Sequence, residues 1–226
     1  MQLNADFTQR AAVHAANVPW VASPMPGVER RMLDRVGGEV ARATSIVRYA
    51  PQSSFSAHTH GGGEEFFVLD GVFEDEHGSF SAGSYVRNPP QTSHTPRSPL
   101  GCTMLVKLWQ FDPADRDGVT IDTKNASFVQ DATRPGVQTL ALFESATENV
   151  RLEQWPAMSA ISLAVPGGGE FFVIEGEFSE CGESFKTLSW LRLPPGSVLS
   201  ATAGARGANI WIKTGHLLSR PPLPEV

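Results

Sequence analysis

The sequence predicts an all-β chain built from two copies of one small sandwich or barrel domain, and three observations predict it. Glycine and proline, 21 and 17 of the 226 residues, punctuate short alternating runs along the whole chain. Residues 51–95 superpose in sequence on residues 156–200 at a constant offset of 105 without a gap. Within each copy, turn signals recur about every 8–12 residues, the spacing of strands in a sandwich or small barrel.

The repeat is carried by many positions. Pro51 falls on Pro156, Gly62-Gly63 on Gly167-Gly168, and Glu65-Phe66-Phe67-Val68 on Glu170-Phe171-Phe172-Val173. Gly71, Phe73, Phe80 and Arg87 answer Gly176, Phe178, Phe185 and Arg192, and Pro89-Pro90 answers Pro194-Pro195. Upstream, after a four-residue shift, Pro26-Gly27-Val28 answers Pro135-Gly136-Val137; downstream, after one added residue, Gly101 and Lys107 answer Gly207 and Lys213. The pattern is the duplication of a domain of about a hundred residues, not a solenoid of short units.

Taken in order, residues 1–20 form an N-terminal extension with room for a short helix. Residues 21–111 form the first domain. Ala43 to Tyr49 alternates as a strand, Glu65 to Asp70 is an apolar, strand-forming run, and Gly71 marks a tight turn. Asp75 to Gly78 is a hairpin loop. Ser84 to Asn88 is a strand stopped by Pro89-Pro90, which cannot donate to a ladder. Met104 to Phe111 closes the copy. Residues 112–125 read as a linker, 126–217 as the second domain and 218–226 as a proline-rich tail.

Composition narrows the function classes. Hydrophobic residues are 41% and charged residues 19%, enough apolar material for a core in each copy. Twenty-four acids against 18 bases give −6, which excludes a general nucleic-acid binder with a basic face. No apolar run approaches the roughly 18 residues of a membrane span. Met1 to Ala16 lacks the basic start and apolar stretch of a secretory signal, so a cytoplasmic location is expected, without membrane or nucleic-acid partners. Two cysteines, Cys102 and Cys181, make neither a disulfide framework nor a paired metal motif and read as small hydrophobes.

The chemistry concentrates in His58-Thr59-His60-Gly61-Gly62-Gly63-Glu64, with His94 thirty residues beyond Glu64. On a strand, His58 and His60 project to one face. The three glycines permit a sharp path and close backbone approach, which lets Glu64 turn to the same point. His94, after the double proline, approaches from a neighbouring strand. Three imidazoles and a carboxylate suit a divalent transition metal. The second copy is an internal control: Leu163, Val165, Gly169 and Leu199 stand where the first has His58, His60, Glu64 and His94. Losing all four polar groups together is what a site without its ion should do, because a leftover buried polar group is costly. The second domain is therefore expected to be metal-free. Arg87 and Glu65 persist there as Arg192 and Glu170, which marks them as structural. Tyr85 answers Trp190 as a packing position. His77 sits in a solvated loop, and His14 and His216 have no sequence partners.

These residues resemble the cupin superfamily. His58, His60, Glu64 and Gly71 fit its first motif, and Gly83, Pro89 and His94 fit its second. Gln52, Gln91 and Ser98 stand where the motifs usually have Gly, Gly and Asn. The resemblance implies two tandem jelly-roll barrels with His58, His60, Glu64 and His94 as ligands. The segments His58 to Gly71, Tyr85 to Pro96 and Gly101 to Phe111 are similar to the cupin domain of ChrR-type anti-sigma factors. That subfamily implies zinc, with Fe(II), Mn or Ni as alternatives. Its sigma-binding module is a separate N-terminal His and Cys cluster. No cysteine precedes Cys102, so that module, and with it direct sigma-factor binding, is not expected. The leading expectation is a regulatory or small-ligand sensor module that forms a homodimer. The alternative is a metal-dependent dioxygenase for a small diketone or hydroxyketone. Four ligands close a tetrahedral site but leave two positions in an octahedral one.

Overall fold

The structure is a computed structural model and describes residues 1–218; beyond Leu218, the expected proline-rich tail lies outside the described residues. The chain divides into two compact units. Among the described residues, one holds Met1–Ala5 and Pro19–Ala126, the other Asp6–Val18 and 127–218. Both are antiparallel β, and among the described residues the helical content is one three-residue 3-10 turn, Ala15–Asn17. No helix there is long and apolar enough to cross a membrane.

The main sheet of the first unit runs Gln2–Leu3, Val28–Gly37, Ala41–Tyr49, Cys102–Leu108, Glu64–Asp75, Ser84–Asn88, Val119–Asp122. A separate short ladder pairs His58–Thr59 with Ser93–His94. The second unit repeats the order with Val129–Gln130, Gln138–Glu144, Asn149–Trp155, Ser197–Thr214, Gly169–Glu180, Ser189–Leu193, Ala11–His14. Period-two alternation fills each interior. Phe66, Val68, Val86, Met104 and Val106 face one core; Phe171, Val173, Leu191, Ile210 and Ile212 face the other.

The opposite face of each sheet carries a row of buried charges. Arg87 pairs in register with Glu65, and Glu65 with Lys107; Arg192, Glu170 and Lys213 repeat the row. All six are at most 2% exposed. A carboxylate flanked by two cations can be buried where a lone one could not. Glu65 also accepts from the Tyr85 hydroxyl at 2.6 Å and Glu170 from the Trp190 indole at 3.0 Å, so these aromatics serve the carboxylates as well as the packing.

Three expectations need correction. Gly71 does not turn the chain: it lies inside the strand Glu64–Asp75, at φ +75°. A Cβ there would strike the Gly101 carbonyl, so the glycine marks a close backbone approach beside a register shift. Residues 112–125 are more than a linker, because Val119–Asp122 pairs with Ser84–Asn88 at the sheet edge. Likewise residues 6–18 are not a free extension. Ala11–His14 pairs with Ser189–Leu193, filling in the second unit the place that Val119–Asp122 fills in the first. Phe7 lies 4.2 Å from the Arg192 guanidinium, as Phe111 lies 4.1 Å from that of Arg87.

Gly176 repeats the Gly71 geometry at φ +79°, against the Gly207 carbonyl, whereas Gly196, at φ +81°, has open space around it. Gly196→Ala should therefore cost only the left-handed backbone strain, about 1 kcal/mol, and Gly176→Ala at least about twice that. Urea denaturation of the whole chain checks this; equal losses would contradict it.

Candidate metal centre

The site assembles from three short pieces of the first unit. His58 and His94 are register partners in the small ladder, and His60 lies one residue beyond its first strand. Glu64 opens the long strand Glu64–Asp75. The glycines between them admit neighbours that a side chain would exclude. A Cβ on Gly62 would enter the Trp109 ring, and one on Gly63, at φ +77°, would enter that of Phe111. The Trp109 and Phe111 amides bind the Gly63 and Gly62 carbonyls at 3.1 and 3.3 Å, which fastens the loop to the end of the strand Cys102–Leu108.

The three imidazole rings lie 4.6–5.1 Å apart, centroid to centroid, and one ligand atom from each lies within 4.8 Å of the others. His60 and His94 are buried and their Nε2 atoms are 3.2 Å apart. Glu64 Oε2 stands 3.3 Å from His60 Nε2 and 3.5 Å from His94 Nε2, and accepts from the Asn88 amide at 3.3 Å. All four sequence candidates are thus brought together.

What sequence reasoning missed is the shell that holds the rings. His58 Nδ1 is 2.9 Å from the Ser56 carbonyl, which can only accept, so His58 donates from Nδ1. His94 Nδ1 is 2.9 Å from Asp75 Oδ2, and the other Asp75 oxygen accepts from the His77 and Gly78 amides. His60 Nδ1 is 3.0 Å from Thr92 Oγ1, whose own proton goes to the Pro89 carbonyl at 2.8 Å. Both Thr92 contacts are made together only if His60 donates. In its neutral form each ring therefore keeps its proton on an outer partner and leaves its Nε2 as a lone pair. Three lone pairs and a carboxylate oxygen converging on one point repel one another unless a cation joins them. This donor set fits a divalent transition metal, and outer carbonyl and carboxylate partners on ligating histidines are the usual accompaniment. Asp75 sits at the hairpin expected from the sequence, but nothing in its spacing aims it at His94.

Burial pushes the His60 pKa down, with Glu64 opposing and His94 and His58 adding to the shift. Burial and the Glu64 charge push the Tyr49 phenol up, so it stays neutral where it lines a cavity of about 460 Å³. That cavity reaches His58, His60 and Glu64, and its other walls are mostly apolar, among them Val47, Phe55, Met104 and Leu108.

In the second unit Leu163 and Leu199 pair in register as His58 and His94 do, and with Val165 they join the core. A Cβ on Gly169 would press on Val165 and Phe171, leaving no room for a glutamate. The remaining candidates fall elsewhere. His14 lies 2.8 Å from Glu183, His216 2.8 Å from Glu170, and exposed His77 reaches the Ser93 carbonyl at 3.1 Å. Arg87 binds Asp115 at 2.6 Å. Cys102 is buried as expected, whereas Cys181 is exposed, at a turn position with φ +50°.

Residues 8–112 match the family model described as the ChrR cupin-like domain. No curated protein matches the chain by sequence. Among solved structures it is similar to YlbA from E. coli, at 12% identity over 93% of each chain with a TM-score of 0.70. It is similar to the bacterial pirin YhhW from E. coli in complex with nickel(II), at 12% identity over 91% of this chain and 98% of that one, TM-score 0.68. A cupin 2 conserved barrel domain protein from Leptotrichia buccalis aligns at 10% identity over 90% and 95%, TM-score 0.60. These likenesses show the cupin fold.

Two outcomes are expected. Asp75→Asn should weaken metal retention by about 10- to 100-fold while leaving the fold intact, read by chelator competition; unchanged retention would remove Asp75 from the site. Because the folded His60 resists protonation, its contribution to stability is full above the unfolded value of about 6.5 and is lost as pH falls below it. Chelator-treated protein should melt lower at about pH 5.5 than at about pH 7.5, and His60→Leu should flatten that slope.

Proposed function

We propose that this two-domain cupin, matched over residues 8–112 by the ChrR cupin-like family, holds one divalent transition metal on His58, His60, His94 and Glu64 and presents it to a small organic ligand. The single observation that carries this reading is the convergence of three imidazoles, one ligand atom of each within 4.8 Å of the others, with the rings fixed by Ser56, Thr92 and Asp75. A bound ion supplies a Lewis-acid centre for an oxygen-bearing ligand. The chain's own residues do the rest. Asp75 and Thr92 keep the rings oriented, Asn88 holds the Glu64 carboxylate, and the apolar cavity walls exclude water from one side. Zinc is the ion favoured by the ChrR-type match, and the role that follows is a ligand-responsive regulatory module whose second domain is structural.

A second reading is favoured by the cavity that opens onto the imidazoles: a dioxygenase for a small diketone or hydroxyketone, with Fe(II), Mn or Ni in place of zinc. Elemental analysis of protein purified without chelator should find about one transition metal per chain, falling below about a tenth of that in the His60→Ala, His94→Ala double variant. A wild-type chain without metal would end both readings. Zinc with no oxygen uptake on a diketone panel supports the regulatory module; a redox-active ion with uptake supports the dioxygenase.

A further inference from the structure

The cavity beside the histidines has a charged end that metal binding does not use. Arg30 and Arg35 both line it, and both come from the strand Val28–Gly37. They could not share a face in a regular strand, because five residues apart they would point in opposite directions. A bulge resolves this. The register steps from Met32↔Ser45 to Asp34↔Thr44, so Leu33 is the extra residue and every side chain after it changes face. Arg31, on the outer face before the bulge, stacks on Trp20 instead.

The two guanidiniums share one carboxylate, that of Glu39. Arg30 meets Glu39, itself 66% exposed, through one nitrogen at 3.2 Å, and its Nε is buried without a partner among the described residues. Arg35 is buried and donates to the carbonyls of Gly38 and Glu39, not to a carboxylate side chain. Burial, and the like charge of Arg30, push its pKa down, with the Glu39 charge opposing. The row Arg35, Ala43, Leu108, Glu64 runs in register across four strands, so about 14 Å of sheet, at about 4.8 Å per strand, separates the cationic end from the histidine end. Between them the wall is apolar or small: Ala43, Val47, Met104, Leu108.

The duplicated domain supplies the control. It has the same bulge, between Ala141 and Phe143, and counted from it Thr139 and Glu144 stand where the first domain has Arg30 and Arg35. Both cations are absent from the copy that also lacks the imidazoles, whereas the fold-bearing Arg87 is kept as Arg192. Arginines needed for the barrel itself would have been kept in both.

We infer that this cavity takes an organic carboxylate with an apolar body, its carboxylate on Arg30 and Arg35 and its other end toward His58, His60 and Glu64. Only the placement of that second end rests on the metal-binding reading; the carboxylate end stands on the arginines alone.

Calorimetric titration of the purified chain with butanoate, hexanoate, octanoate and their primary amides tests it, with metal content measured on every preparation. The best acid should bind about tenfold or more tightly than its amide. Arg30→Gln should erase that preference, and Glu39→Gln, an exposed change that removes the competing carboxylate, should tighten the acid several-fold. Circular dichroism confirms that both variants are folded. Equal binding of acid and amide, no binding of either, or an unchanged preference in Arg30→Gln would overturn the inference. The His60→Ala, His94→Ala chain separates the two readings. A preference kept without metal supports the arginine site even if the metal assignment fails. A preference lost with the metal but kept in Arg30→Gln places the carboxylate on the ion and overturns the inference.

Discussion

Three imidazoles whose Nδ1 atoms are all committed to outer partners are left to meet through their other ring nitrogens, and the first domain is arranged around that constraint. Ser56 lies just before the short His58 strand, Thr92 lies in the turn after the double proline, and Asp75 ends the long central strand. Each fixes one ring, and the three come from separate parts of the barrel. The site therefore exists only when hairpin, turn and ladder are all in place. Metal binding and folding of this domain should be linked for that reason.

Duplication shows which parts of the sequence serve the barrel and which serve the site. The buried row Arg87, Glu65, Lys107 reappears as Arg192, Glu170, Lys213, and the kink at Gly71 reappears at Gly176. These are the requirements of the fold. The histidines, Glu64 and the two cavity arginines do not reappear, and Leu163, Val165 and Leu199 fill the second interior instead. Two copies with the same strand order thus differ inside, one with a cavity reaching its histidines and one with aliphatic side chains in their place.

Much of this was legible in the sequence because identity and spacing carried it. The repeat offset, the strands and the four converging polar residues follow from residue types at fixed intervals. Gln52 and Gln91, which replace the usual motif glycines, still adopt left-handed backbone at φ +63° and +75°, so the turns keep their geometry despite the substitutions. What stayed hidden depends on register and on partners distant in sequence. Residues 6–18 and 112–125 look like an extension and a linker because their strands are short and pair with edges far along the chain. Gly71 reads as a turn because a glycine at positive φ has the same local signature in a kink. Arg30 and Arg35 look unrelated until the bulge at Leu33 turns them to one face. Asp75 looks like a loop acid until the hairpin brings it under His94.

The tautomer state of the three histidines reports most directly on whether their Nε2 atoms are free to hold an ion. Long-range 1H–15N correlation spectra of chelator-treated, 15N-labelled protein at neutral pH distinguish the two ring nitrogens of each imidazole. His58, His60 and His94 should all show the Nδ1–H tautomer, with all three Nε2 resonances shifting when zinc is added. An Nε2–H tautomer at any of the three, or Nε2 signals indifferent to zinc, would contradict the metal site.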